Sequence, residues 1–199
     1  MHLKRWLTAI VGLPLLFILI GPGPRWLLHS FILFLAIAGL IEFYRLTAPR
    51  IPNSVRVLNY LITSSLFIAF HFRQINLIPF LVLMLIFIPL VFYLFSHPTP
   101  DQQWTNDIGK TVLGPIYIGL PLSMIVCIDL YPKGDGKMWL FFLLVVIFAS
   151  DTGAYYAGRY FGRHKLYEAI SPNKTWEGAI GGLLLSLILS TLFLRIFPF

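Results

Sequence analysis

Seven apolar stretches, separated by short polar or proline-containing breaks, take up most of the chain. They are Trp6–Ile20 (closed by Gly21-Pro22-Gly23-Pro24), Trp26–Phe43, Val57–Phe72, Leu77–Phe95, Thr111–Leu130, Met138–Gly158 and Ala179–Phe197. A helix needs about 20 residues to cross a hydrocarbon core about 30 Å thick. Each stretch is close to that length, and a backbone in lipid must satisfy its hydrogen bonds within the segment. The pattern predicts an all-α polytopic integral membrane protein with about seven transmembrane helices. What is left is connections only, with no room for a soluble domain. Lys4 and Arg5 ahead of an apolar run could also open a secretory signal. No small-residue cleavage site follows, so the first helix is expected to be retained.

Composition supports this. Of 199 residues, 58% are hydrophobic and 12% charged, against about 25% charged in an ordinary soluble domain. A soluble chain could not cover that much apolar surface, and a disordered one would be poor in it. Cys127 is the single cysteine, which removes a disulfide framework and any cysteine-rich metal site.

The net charge of +7 gains meaning from its distribution. With the N-terminus in the cytoplasm, ten basic residues fall on that side: Lys4, Arg5, Arg45, Arg50, Arg56, Lys110, Arg159, Arg163, Lys165 and Lys174. Five fall on the other: Arg25, Arg73, Lys133, Lys137 and Arg195. The excess of positive charge marks the cytoplasmic face. It also fits anionic lipid or a phosphate-bearing substrate, and no basic tract suggests nucleic acid.

Two regions carry candidate chemistry. Asp151 follows thirteen mostly apolar residues. A carboxylate at membrane depth costs about 2.5–3.5 kcal/mol on insertion scales, and such groups face a cavity or a partner. Helical spacing puts Asp151, Tyr155, Gly158 and Arg159 on one face, while Gly153, Ala154 and Ala157 allow a second helix to approach closely. The second region, Arg159–Glu177, combines four Lys/Arg with hydroxyls in Ser171-Pro172-Asn173-Lys174-Thr175 next to a predicted helix start. Cations, hydroxyls and backbone N–H groups suit phosphate, although a basic loop can also serve topology alone. A P-loop is excluded, because Glu168 and Asn173 stand where its glycines belong.

Gly178 and Gly182 have the spacing of helix packing. Glu42 is expected to pair with Arg45. Asp101, Asp107, Asp129 and Asp135 are expected to be solvated, and the five histidines show no metal-ligand spacing.

The ordered run Ser150-Asp151-Thr152-Gly153-Ala154-Tyr155, Gly158-Arg159, Phe161-Gly162, His164-Lys165-Leu166 and Ser171-Pro172-x-Lys174-Thr175-Trp176-Glu177-Gly178, with Gly181-Gly182, resembles the phosphatidate cytidylyltransferases. The dense likeness covers about residues 145–183, with weaker likeness in Lys4-Arg5, Glu42–Leu46 and Gly114–Pro121. It implies a membrane nucleotidyltransferase that uses CTP, phosphatidate and Mg²⁺ to make CDP-diacylglycerol and pyrophosphate. It also implies a bacterial inner-membrane location; the charge distribution makes the N-terminus and the 159–177 connection cytoplasmic.

By the same resemblance, Asp151 and Lys174 are the expected catalytic residues. Arg159, Arg163, Lys165, Ser171 and Thr175 are expected at substrate, and Asp151 at the metal. The organisation expected is helices over residues 1–130 and a partial catalytic region over residues 131–199. Members of the resembled family continue for about two further spans and carry a C-terminal signature of Lys-Arg, Lys-Asp, His-Gly-Gly and Asp-Arg-x-x-Asp elements that does not follow the last apolar stretch here. Further metal ligands would be expected there. Alternatives are therefore a catalytically incomplete remnant, one half of a split enzyme, or a small membrane transporter built around Asp151; the protein partner expected is a second copy of the chain or the missing C-terminal half.

Overall fold

The computed structural model describes residues 12–96, 102–130 and 135–198. Lys4, Arg5 and Asp101 lie outside these residues. The chain divides into two compact units, residues 1–130 and 131–199.

In the first unit, residues 12–20 are helical and end at the Gly-Pro pairs. Helix α1 (Arg25–Thr47) follows. It buries Leu28, Ile32, Ala36, Leu40 and Tyr44, an unbroken i, i+4 stripe. Helix α2 (Asn53–His71) begins after Pro52. It stops at Arg73, whose φ of 57° is left-handed, and the Gln74 N–H bonds back to the Ala69 carbonyl at 2.7 Å. That is how a helix end satisfies its last carbonyls. A 3₁₀ turn (Ile75–Leu77) leads into α3 (Ile78–Ser96). Helix α4 (Gln102–Gly114) then runs through a π segment (Pro115–Gly119) into α5 (Leu120–Asp129).

The π segment opens on a proline. Pro115 has no N–H, so the Thr111 carbonyl loses its helical partner. Tyr44 Oη (2.9 Å) and Asn59 Nδ2 (3.2 Å) donate to that carbonyl instead, and Asn59 Nδ2 also donates to Tyr44 Oη at 2.8 Å. All three residues are fully buried. The proline break is thus covered by one side chain from α1 and one from α2.

At the other end of the unit the structure corrects one expectation. Asp129 is not solvated: its side chain has no exposed area. Arg25 Nη1 donates to Oδ1 at 2.7 Å, and His29 Nε2 donates to Oδ2 at 3.0 Å. His29 Nδ1 in turn shares a hydrogen bond with His71 Nδ1 at 2.7 Å. A carboxylate at the end of α5 is held by two groups from the start of α1, since an unpaired charge there would be costly to bury. The expected Glu42–Arg45 ion pair does not form among the described residues.

The second unit is a helical hairpin. Helix α6 (Gly136–Phe161) and helix α7 (Trp176–Ile196) run antiparallel, with Phe142 against Phe193 and Gly153 against Gly182. A β-carbon on Gly153 would sit 2.5 Å from the Gly181 carbonyl oxygen, and one on Gly181 would collide with the Ala157 β-carbon. The small residues therefore set the separation of the helices. Between them, the expected loop contains a two-stranded antiparallel hairpin of β1 (Lys165–Tyr167) and β2 (Ser171–Thr175).

Among the described residues five helices are long and apolar enough to cross a membrane: Arg25–Thr47, Ile75–Phe95, Thr105–Asp129, Gly136–Phe161 and Trp176–Ile196. Two of the seven predicted spans are not in this set. Trp6–Ile20 lies partly outside the described residues. The Val57–Phe72 stretch does form a helix, but Arg56, Asn59, Thr63, Ser64 and Ser65 dilute its apolar character.

Candidate active site

Where α6 ends and α7 begins, a cavity of about 750 Å³ opens within the second unit. Asp151, Ala154, Tyr155, Gly158 and Arg159 of α6 form one wall. Leu166, Asn173, Lys174 and Thr175 of the hairpin, with Gly178 and Ala179 of α7, complete it. The four residues predicted to share a helix face all reach this wall.

Local structure explains how the polar groups in this lining are placed. Thr175 is the N-cap of α7: its Oγ1 accepts the Gly178 N–H at 3.1 Å. Its side chain is buried, and the missing β-carbons of Gly158 and Gly162 leave the room it fills. The hydroxyl proton of Thr175 stays available to a ligand oxygen. Capping also fixes the strand immediately before it, and with it Lys174. Arg159 lies in the last turn of α6, where the helix dipole favours a cation. Its Nη1 donates to Tyr155 Oη at 2.7 Å and its guanidinium lies 5.9 Å from that ring's centroid. Among the described residues no ion pair engages Asp151 or Lys174.

The remaining predicted residues stand elsewhere. Lys165 Nζ donates to the Pro172 carbonyl, across the hairpin. Ser171 pairs with Tyr167 at the hairpin's far end. Arg163 is exposed in the segment between α6 and β1. None of the three lines the cavity.

Sequence reasoning missed one arrangement. The Glu177 carboxylate accepts from the His164 backbone N–H (3.2 Å to each oxygen) and from His164 Nδ1 (2.6 Å to Oε1). The two residues are thirteen apart, and the only signal was the placement of an acid in the first turn of a helix.

Asp151 is the one carboxylate in the cavity wall, and no cluster of three or more His, Cys, Asp or Glu occurs among the described residues. Mg²⁺ is commonly held by one or two carboxylates together with substrate phosphates and water. The donor set therefore fits a Mg²⁺ that arrives on a polyphosphate, and does not make a cage for one by itself.

Apolar helices long enough to span a bilayer define an integral membrane protein, and the cavity of its second unit is lined by two cations and a lone carboxylate. The Cytidylyltransferase family profile matches residues 3–199, and the chain belongs to that family. It is 40% identical over 91 residues to phosphatidate cytidylyltransferase of Bacillus subtilis (strain 168), covering 44% of this chain and 32% of that protein. It is 30% identical over 188 residues to the Staphylococcus saprophyticus enzyme of the same name, covering 92% of this chain and 68% of that protein. A Staphylococcus epidermidis relative (strain RP62A) of that name is 30% identical over 186 residues, with the same coverage. The matched stretches thus span from about a third to about two thirds of these relatives' lengths. No solved structure matches the chain.

Proposed function

We propose that this chain binds CTP in the cavity between α6 and α7 and transfers its cytidylyl group to phosphatidate. The observation that carries the reading is the juxtaposition of Lys174, Arg159 and Asp151 around one cavity where α6 ends and α7 begins. In this reaction a phosphate oxygen of the lipid forms a bond to the α-phosphorus of CTP. The bond from that phosphorus to the bridging oxygen breaks, and pyrophosphate leaves with its electron pair. Two anions must meet, so the demand on the protein is charge compensation and alignment.

Lys174 and Arg159 supply the positive charge, and the N-terminus of α7 adds its partial charge. The Thr175 hydroxyl donates to a phosphate oxygen. A Mg²⁺ bound to the triphosphate would neutralise charge and take Asp151 as a protein ligand. The helix ends hold these groups near the headgroup plane, where a diacyl lipid carries its phosphate. The orientation that fits is cytoplasmic for this end of the hairpin, in a bacterial inner membrane, where CTP is available.

The test is CTP-dependent formation of CDP-diacylglycerol by the purified chain in detergent with phosphatidate and Mg²⁺. Lys174→Ala is expected to lose about 10²–10³-fold in turnover, as for removal of one transition-state donor. Activity unchanged in both Lys174→Ala and Asp151→Asn would overturn the assignment.

A further inference from the structure

Glu177 does not line the cavity, yet it stands two residues from the helix cap and three from Lys174. We propose that Glu177 is a positioning residue: through His164 it clamps the base of the Lys165–Thr175 hairpin to α7 and so sets where Lys174 stands. This inference rests on reading the cavity as a CTP site.

The geometry is specific. Both backbone polar groups of His164 are committed to the first turn of α7. Its N–H donates to the Glu177 carboxylate, and its carbonyl accepts the Trp176 N–H at 3.0 Å. The imidazole adds a third bond at 2.6 Å, so the carboxylate grips one residue by both main chain and side chain. His164 directly precedes β1, and Lys165 is the register partner of Thr175. Fixing His164 therefore fixes the strand that faces Lys174's own strand. Such short strands carry little stability of their own.

The clamp also has an electrostatic consequence. A free carboxylate this close in sequence could fold back onto the Lys174 ammonium and cancel the charge offered to phosphate. Engaged by His164, it does not pair with Lys174 in the structure. The arrangement resembles other sites in which outer groups orient those that touch the ligand.

The experiment uses the full chain in detergent and two readouts. Hydrogen exchange across residues 163–175 reports the clamp itself, and CTP affinity reports its effect on Lys174. Glu177→Ala is expected to speed exchange in that segment and to weaken CTP binding about tenfold, the lower end for losing a supporting group. Glu177→Gln keeps an acceptor for the His164 N–H and is expected to recover most of both. His164→Ala is expected to reproduce the exchange effect in part, and the double variant to be no worse than Glu177→Ala alone.

Unchanged exchange in Glu177→Ala overturns the clamp, as does a Glu177→Gln variant as impaired as Glu177→Ala. Equal loss of the global unfolding temperature would mean general destabilisation, which also overturns it. If Glu177→Ala does not fold, Glu177→Gln and His164→Ala carry the same comparison. A wild-type chain that ignores CTP while Glu177→Ala loosens the hairpin would sink the site reading and the link to Lys174, leaving only a structural clamp. Loosening with unchanged CTP affinity would overturn the positioning role alone.

Discussion

Replacing Asp129 by alanine should be among the most damaging single changes in the first unit. The carboxylate has no exposed area and takes one charge-assisted bond on each oxygen, from Arg25 at 2.7 Å and His29 at 3.0 Å. Hydrogen bonds to charged groups contribute about 1.5–3 kcal/mol each, so two give about 3–6 kcal/mol. Breaking a buried pair costs about 3–5 kcal/mol by a separate route, because a charge is left uncompensated. Arg25 keeps 27% of its side-chain exposure and can turn partly to water. The low end, about 3 kcal/mol, is therefore the expected loss. For a chain of this size that is a fall in melting temperature of about 6–12 °C.

Thermal unfolding of the purified protein in one detergent, followed by loss of helical signal, measures it. Asp129→Asn keeps an acceptor for Arg25 and should lose less. If Asp129→Ala melted within 2 °C of wild type, on the order of 1 kcal/mol, the account of this buried network would be refuted.

Three further outcomes are expected. Gly153→Ala should cost about 1–3 kcal/mol by overpacking, read as a lower melting temperature; its β-carbon would lie 2.5 Å from the Gly181 carbonyl oxygen. Tyr44→Phe should cost about 1 kcal/mol, because Asn59 remains to cover the Thr111 carbonyl. Tyr44→Phe combined with Asn59→Leu should lose more than the two single changes together, which a double-mutant cycle in thermal unfolding would reveal.

What could be read from the sequence follows from which interactions are local. The apolar stretches and the shared face of Asp151, Tyr155, Gly158 and Arg159 depend on helical periodicity, which linear spacing encodes. Gly153, Ala154 and Ala157, and the pair Gly178 and Gly182, are legible as helix-packing positions, but that these two helices pack against each other is visible only in the structure.

The hairpin was not legible. Strands of three and five residues show no usable alternation, and Pro172 argues against a strand by ordinary rules. From the sequence Asp129 reads as solvated because it lies next to a connection. Its partners, 104 and 100 residues away, are brought to it only by packing of α1 against α5. The same holds for Tyr44 and Asn59, which become explicable once Pro115 is seen to orphan a carbonyl. Of the seven residues expected at the site, Asp151, Arg159, Lys174 and Thr175 reach the cavity. Arg163, Lys165 and Ser171 do not, because the hairpin turns the chain away between them.

The central claim is that this cavity holds the phosphates of CTP. Equilibrium binding of CTP to the purified chain in detergent with Mg²⁺, compared with Lys174→Ala, tests it most directly. The account predicts saturable binding to the wild type that weakens at least about tenfold in the variant. Equal affinity in the two proteins would contradict it.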